Sequence, residues 1–134
     1  MEKVVYTIQP PDHFEGLLKI YELLGWNSLK LTVNDLENMC KQSWYAVYAF
    51  DENQLVGMGR IISDGVITAL ICGVCVMPTY QSKGIGKELL NRLISHCEQN
   101  KVIPQLICME NLENYYDAFG FKKFAIGMTK NIIR

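Results

Sequence analysis

The stretch Gln81-Ser82-Lys83-Gly84-Ile85-Gly86-Lys87 holds the residues with the plainest chemistry to offer. It stands where a strand-like pattern gives way to a helical one. The first amides of that helix have no acceptor inside it and point outward. The helix dipole adds partial positive charge at the same end. Together these make an anion site, and phosphate is its usual occupant. Gly84 and Gly86 carry no side chain, so a diphosphate can approach the backbone closely. In an ordinary helix interior alanine would be favoured over glycine by up to about 1 kcal/mol, so the two glycines call for a reason. Lys83 and Lys87 bring further charge to the same place.

Two other phosphate motifs fit badly. G-x-x-x-x-G-K-[ST] is absent. The dinucleotide fingerprint needs a third glycine where Lys87-Glu88-Leu89 stand, and it follows the first strand of a parallel sheet. Here a strand meander comes first. The other reactive side chains are dispersed. The five cysteines are Cys40, Cys72, Cys75, Cys97 and Cys108. An odd number behind an N-terminus without a secretory pattern favours reduced thiols. Cys72-x-x-Cys75 has a metal or redox spacing, but no second pair answers it. It lies in a strand-like run, where positions three apart face opposite sides, so buried core thiols are expected. His13 sits at a helix start and His96 late on a polar helix face, away from any cluster.

The elements that must position these residues can be read in order. Residues 3–9 form a short strand, stopped by Pro10-Pro11. Asp12 stands three before Glu15, a capping-box-like start. Phe14, Leu17, Leu18, Tyr21 and Leu24 then recur at helical spacing, and Gly25 ends the helix. Thr32 caps a second helix carrying Leu36, Met39 and Cys40. Residues 44–50 and 54–62 are strands about an Asp51-Glu52-Asn53 turn. Asp64-Gly65 is a hairpin signal, since both types tolerate positive φ. Residues 66–76 are a long apolar strand of a sheet interior. Ile85, Leu89, Leu90, Leu93, Ile94 and Cys97 then make one helical stripe, which Asn100-Lys101 ends. Residues 102–109 read as a strand and Leu112, Tyr115, Tyr116 and Phe119 as a short helix closed by Gly120. Residues 121–133 supply one or two last strands. The order predicts an α/β chain (α+β, mixed sheet), an antiparallel meander followed by a β-α-β crossover. Strands 66–76 and 102–109 should be parallel neighbours.

The 134 residues suit one domain over 1–134. About half are apolar and a fifth charged, the balance of a globular protein. A net charge of −1, with no run of like charge, speaks against a nucleic-acid partner. No stretch approaches the roughly 20 apolar residues of a membrane span, so no membrane partner is expected. The expected location is the cytoplasm.

Gln81-x-x-Gly84-x-Gly86 resembles the Q/R-x-x-G-x-G/A signature of the GCN5-related N-acetyltransferases (GNAT). Two further blocks extend the resemblance. One is Val74-Cys75-Val76-Met77-Pro78 and the other Tyr115-Tyr116-x-x-x-Gly120-Phe121, similar to the family's late F/Y-Y-x-x-x-G-F. The match is good over residues 54–124; before that only the β-α-α layout agrees. The resemblance implies a GNAT-like acyl-CoA N-acyltransferase fold and acetyl-CoA as co-substrate, with no metal. It implies that the backbone of Gln81, Ser82, Lys83, Gly84, Ile85, Gly86 and Lys87 holds the CoA pyrophosphate. The strand before should carry a bulge and splay from its parallel neighbour. Pantetheine would lie along Val74, Cys75 and Val76, one amide polarising the thioester carbonyl.

Tyr116 matches the tyrosine that protonates the departing thiolate; a phenol with reference pKa near 10 keeps its proton at pH 7. It also shares a stripe with Leu112, Tyr115 and Phe119, which is how a core residue reads. Tyr115 is expected to pack. Asn111 is expected to cap this helix and touch CoA. A general base is not singled out: Asp64 and Glu110 are neighbours only, and Asp64 suits the hairpin turn better. The connection 25–30, with Trp26 as a wall, should roof the acceptor site. The expected activity is direct acetyl transfer to a primary amine of a small molecule or a peptide lysine. The rival readings are a non-catalytic CoA-binding sensor and an interaction module. The resemblance also allows a homodimer.

Overall fold

The structure is a computed structural model that describes residues 3–131. Its elements are β1 (Val4–Thr7), α1 (Glu15–Leu23), α2 (Val33–Gln42), β2 (Tyr45–Asp51), β3 (Gln54–Ser63), β4 (Thr68–Val76), α3 (Ile85–Gln99), β5 (Ile103–Gln105) and α4 (Glu113–Asp117). Short 3-10 turns at Pro78–Tyr80 and Glu110–Leu112 precede α3 and α4.

The two N-terminal helices show how local chemistry sets their ends. Phe14 occupies the N-cap of α1 and no side chain caps the turn, contrary to the expectation for Asp12. Asp12 stands two residues ahead of the cap position, from which a side chain must reach the second or third amide. The other end closes as expected at Gly25, with φ +74°. Trp26 N–H donates to the Tyr21 carbonyl (2.8 Å) and Gly25 N–H to that of Glu22 (3.2 Å). The Trp26 ring stands edge-on to Tyr21 at 5.4 Å. This is a Schellman close with its hydrophobic contact. Thr32 opens α2 with a reciprocal capping box, accepting from Asp35 N–H while the Asp35 carboxylate accepts from Thr32 N–H.

The sheet runs β1-β2-β3-β4-β5. The first three pairings are antiparallel and β4–β5 is parallel, as the meander and crossover require. One face, with Val47, Ile61 and Ile71, packs on Leu89, Leu90 and Leu93 of α3. The other, with Tyr48, Met58 and Cys75, packs on Leu17 and Ile20 of α1 and Leu36 of α2. Each fully buried leucine contributes about 1.5–3 kcal/mol, so the two cores clamp the sheet from both sides.

The ends of the chain depart from the sequence pattern. The strand expected over 102–109 is confined to Ile103–Gln105. Pro104 brings no N–H to its pairing, and beyond Gln105 the chain leaves β4. Residues 121–131 form no strand, and residues 132 and 133 of that expectation lie outside the described part. Phe124, Ile126 and Met128 alternate like a strand, yet they are more than 70% exposed. A three-residue β5 offers them too short an edge to pair with. At the hairpin, β4 begins only at Thr68, with Val66 and Ile67 exposed in the turn. There Gly65 alone takes positive φ.

Candidate active site

The candidate site begins at a defect in β4. Met58 pairs with Cys75 but Arg60 with Cys72, so β4 carries one residue more than β3 across this interval. That is a β-bulge. Gly73 lies within it at φ +65°, a left-handed conformation that side chains disfavour. The bulge corrects the parity expected for Cys72 and Cys75, because the extra residue cancels the rule that positions three apart face opposite ways. Cys75 is buried between the sheet and α1/α2, while Cys72 and Cys108 are only half-buried, short of the core thiols expected. None of the five thiols is in a disulfide. Burial pushes the Cys75 thiol up to about 12, so it stays protonated and inert.

Past the bulge β4 is paired on one side only. Its parallel ladder with β5 covers Thr68, Ala69 and Leu70 and then stops. Met77 N–H donates to the Val56 carbonyl on the β3 side. Peptide groups alternate along a strand, so Cys75 also faces β3, whereas Val74 and Val76 turn theirs to the open edge. Of the three residues expected to line the cofactor, the structure brings the backbones of two. Cys75 contributes to the core instead.

The open edge runs into the loop before α3. Gln81 folds back, its Nε2 donating to the Val76 carbonyl at 3.1 Å. Ser82 (φ +65°) and Gly84 (φ +86°) are both left-handed, on either side of Lys83. A Cβ on Gly84 would meet nothing within 4 Å, so its backbone angle, and not crowding, calls for glycine. A Cβ on Gly86 would lie 3.7 Å from Val76 Cγ2, ordinary contact between helix start and strand end. No side chain caps α3, and its first bond is Glu88 N–H to the Gly84 carbonyl. The amides of Ile85, Gly86 and Lys87 precede that bond. Ile85 buries its side chain under the sheet and can offer only its backbone. Tyr80 steadies the approach: its hydroxyl donates to Asp51 Oδ2 at 2.6 Å, and Lys83 Nζ lies 5.5 Å from its ring centre.

Tyr116 packs its half-buried ring against the core that α3 covers. It meets Tyr115 edge-on at 5.0 Å and Phe121 at 6.3 Å. Phe121 N–H donates to the Tyr116 carbonyl as the chain turns at Gly120 (φ +95°). Burial, then the neighbouring Tyr115 and Cys108, raise its hydroxyl above the usual 10. Tyr115 is about half exposed and flanks Tyr116 without entering the core.

Other expected residues fall elsewhere. Asn111 caps nothing: Met109 precedes its 3-10 turn and Leu112 precedes α4. It stands one residue ahead of the cap position of α4, which Leu112 occupies. Asp64 spends its carboxylate on Val66 N–H at 2.9 Å, the turn role. Glu110 is exposed. His96 is not on a plain polar face: its ring stacks on Tyr45 at 3.5 Å, and burial lowers its pKa. A separate groove of about 320 Å³ lies between residues 8–14 and the end of α2, lined by Phe14, Cys40 and Tyr48, away from the loop before α3. Among the described residues no group of three or more His, Cys, Asp or Glu is placed to hold a metal, and no helix is long and apolar enough to cross a membrane. Gly73 is the local signal for this bulge, an isolated glycine inside a strand.

Comparison with known proteins gives the geometry a family. Residues 25–134 match the model described as an acetyltransferase (GNAT) domain. A chloroplastic GCN5-related N-acetyltransferase of Arabidopsis thaliana is 35% identical over 77 residues, 57% of this chain and 32% of that protein. A histone acetyltransferase of Glycine max is 43% identical over 73 residues, 54% of this chain and 32% of that protein. The chain thus spans about a third of the length of these relatives. Among solved structures, a probable acetyltransferase of meticillin-resistant Staphylococcus aureus superposes with a TM-score of 0.80 at 24% identity, covering 98% of this chain and 100% of that one. A glucosamine-6-phosphate N-acetyltransferase of Arabidopsis thaliana gives 0.77 at 16%, covering 98% and 100%. At these identities the superpositions speak for the fold alone.

Proposed function

The chain belongs to the GNAT acetyltransferase family, and on that footing we propose that it moves an acetyl group from acetyl-CoA to a primary amine by direct attack. The observation that carries this is a continuous run of backbone without strand partners. It leads from the first amides of α3 along Val76 and Val74, where β4 has parted from β5. A diphosphate suits the helix end and its two left-handed residues. An extended pantetheine suits the open edge, as an added strand would.

In this reading the Val74 or Val76 amide polarises the thioester carbonyl. The neutral amine attacks that carbon and a C–N bond forms. The C–S bond then breaks and the sulfur leaves with the electron pair. Tyr116 hands its proton to the sulfur, and the proton lost by nitrogen goes to solvent, from which the phenolate is reprotonated. Holding both reactants together supplies much of the rate. Cys75, buried and protonated, is not placed to serve as an acyl-enzyme nucleophile. The acceptor is a small-molecule amine or a peptide lysine; the names of the Arabidopsis and soybean proteins span both classes.

Calorimetry with acetyl-CoA, followed by release of free CoA thiol over a panel of amines, tests the reading. Binding with acetyl-CoA and amine-dependent thiol release are expected. Absence of binding to the intact protein would contradict it.

A further inference from the structure

Arg60 is a cation near the open end of β4 that the fold leaves without an acidic partner among the described residues. It projects from β3 toward the α1/α2 side, opposite Cys72 in the ladder. Cys72 is two residues past the last β4–β5 pair, so the guanidinium stands where the strands part. The position of a Cβ on Gly73 would be 3.4 Å from Arg60 Nε and 3.5 Å from the Tyr21 hydroxyl, which places both groups under the bulge. Trp26, edge-on to Tyr21 and 44% exposed, opens the same corner to solvent. The connection that carries Trp26 is tied down: Asn27 accepts from Leu31 N–H at 2.6 Å and donates to the Leu31 carbonyl at 3.2 Å. The wall is therefore already formed.

The electrostatics of this corner are one-sided. Arg60 Nε is buried and has no hydrogen-bond partner, and Arg60 joins no ion pair among the described residues. The guanidinium hydrogen-bonds the Tyr21 hydroxyl, and its charge is felt by Tyr21, Cys40 and Cys72, none of them an anion. Burial is the largest influence on each and raises it, Tyr21 to about 12, so all three are neutral at pH 7. A half-buried cation without a counter-ion is costly to keep. Its planar fork fits a carboxylate or phosphate. The same charge would disfavour an ammonium nearby and keep the attacking nitrogen neutral.

We propose that Arg60 is the acceptor-binding residue for an anionic group, so that the substrate is a small primary amine bearing a carboxylate or a phosphate. The anion pairs with Arg60 between Tyr21 and Trp26, and the amine extends along β4 past the bulge toward the thioester. This rests on the acetyl-transfer reading and narrows its acceptor.

Two matched series test it: aminoalkyl phosphates against the corresponding aminoalcohols, and amino acids against their amides, each read as kcat/KM with acetyl-CoA. The wild type should prefer the anionic member of at least one series by about 10- to 100-fold, as expected for a charge-assisted bond to a guanidinium. Which series shows the preference separates phosphate from carboxylate. Arg60→Gln should shrink that ratio to within about threefold, chiefly through KM, and Arg60→Lys should leave it in between. Acetyl-CoA calorimetry on each variant reports whether the fold and cofactor site survive. A wild-type ratio near one in both series would overturn the assignment, as would a ratio that Arg60→Gln leaves intact. So would failure to acetylate any of these amines by a protein that binds acetyl-CoA. Failure to bind acetyl-CoA would instead remove the transfer reading itself.

Discussion

The two ends of β4 are built from similar residues and behave differently. At its start, Thr68, Ala69 and Leu70 are paired to β3 on one edge and β5 on the other. From Ile71 onward the β5 edge has no strand, and the β3 edge is interrupted by the bulge at Gly73. Both ends sit over the same α3 core. The difference therefore does not come from hydrophobicity. It goes with the bulge at Gly73 and with a β5 of only three residues, Pro104 among them. Closed backbone stabilises the fold; open backbone beside a helix N-terminus is free to bind.

Substitutions at the open end should therefore read out in activity, and those in the shared core in stability. Tyr116→Phe should lower kcat by about 10²- to 10⁴-fold, the usual worth of a positioned general acid, while calorimetry shows acetyl-CoA affinity retained. Its raised pKa means the proton is held to above pH 10, so any alkaline loss of kcat due to this group belongs above 10. A fall centred near pH 8 would assign the limb to something else. Leu93→Ala removes a fully buried side chain under the sheet. It should cost about 2–5 kcal/mol in denaturant unfolding. Gly73→Val forces a β-branched residue into left-handed backbone against Arg60 and Tyr21, at about 1–3 kcal/mol. Turnover should fall with it; intact turnover would show that the bulge does not shape the site. Thr32→Ala loses the α2 cap for about 1 kcal/mol, visible as a lower melting temperature with acetyl-CoA binding unmoved.

What the sequence disclosed followed the range of the interaction. Local signals were legible: Thr32 as a cap, Gly25 as a helix stop, the glycines before α3, and the helical stripe that α3 buries. Pairing across the sheet was legible where the pattern was long and apolar, as in β3 and β4. It was not legible where a strand depends on an edge elsewhere. Phe124, Ile126 and Met128 alternate well, but alternation cannot supply a partner. Within the candidate site, the loop before α3 and Tyr116 were the residues that motif and spacing could single out. That Cys75 turns its peptide to β3 and its side chain to the core is fixed by the ladder, which no local pattern reveals. Arg60 carried no local mark at all, since its lack of an acidic partner arises only when β3, β4 and α1 meet.

Amide chemical shifts followed by NMR during titration with acetyl-CoA test the central claim most directly. The account predicts the largest shifts at Val74, Val76 and the amides of residues 82–87, with Ala69 and Leu70 nearly still. Shifts that gather instead around Phe14 and Tyr48, or that leave residues 82–87 unmoved, would contradict it.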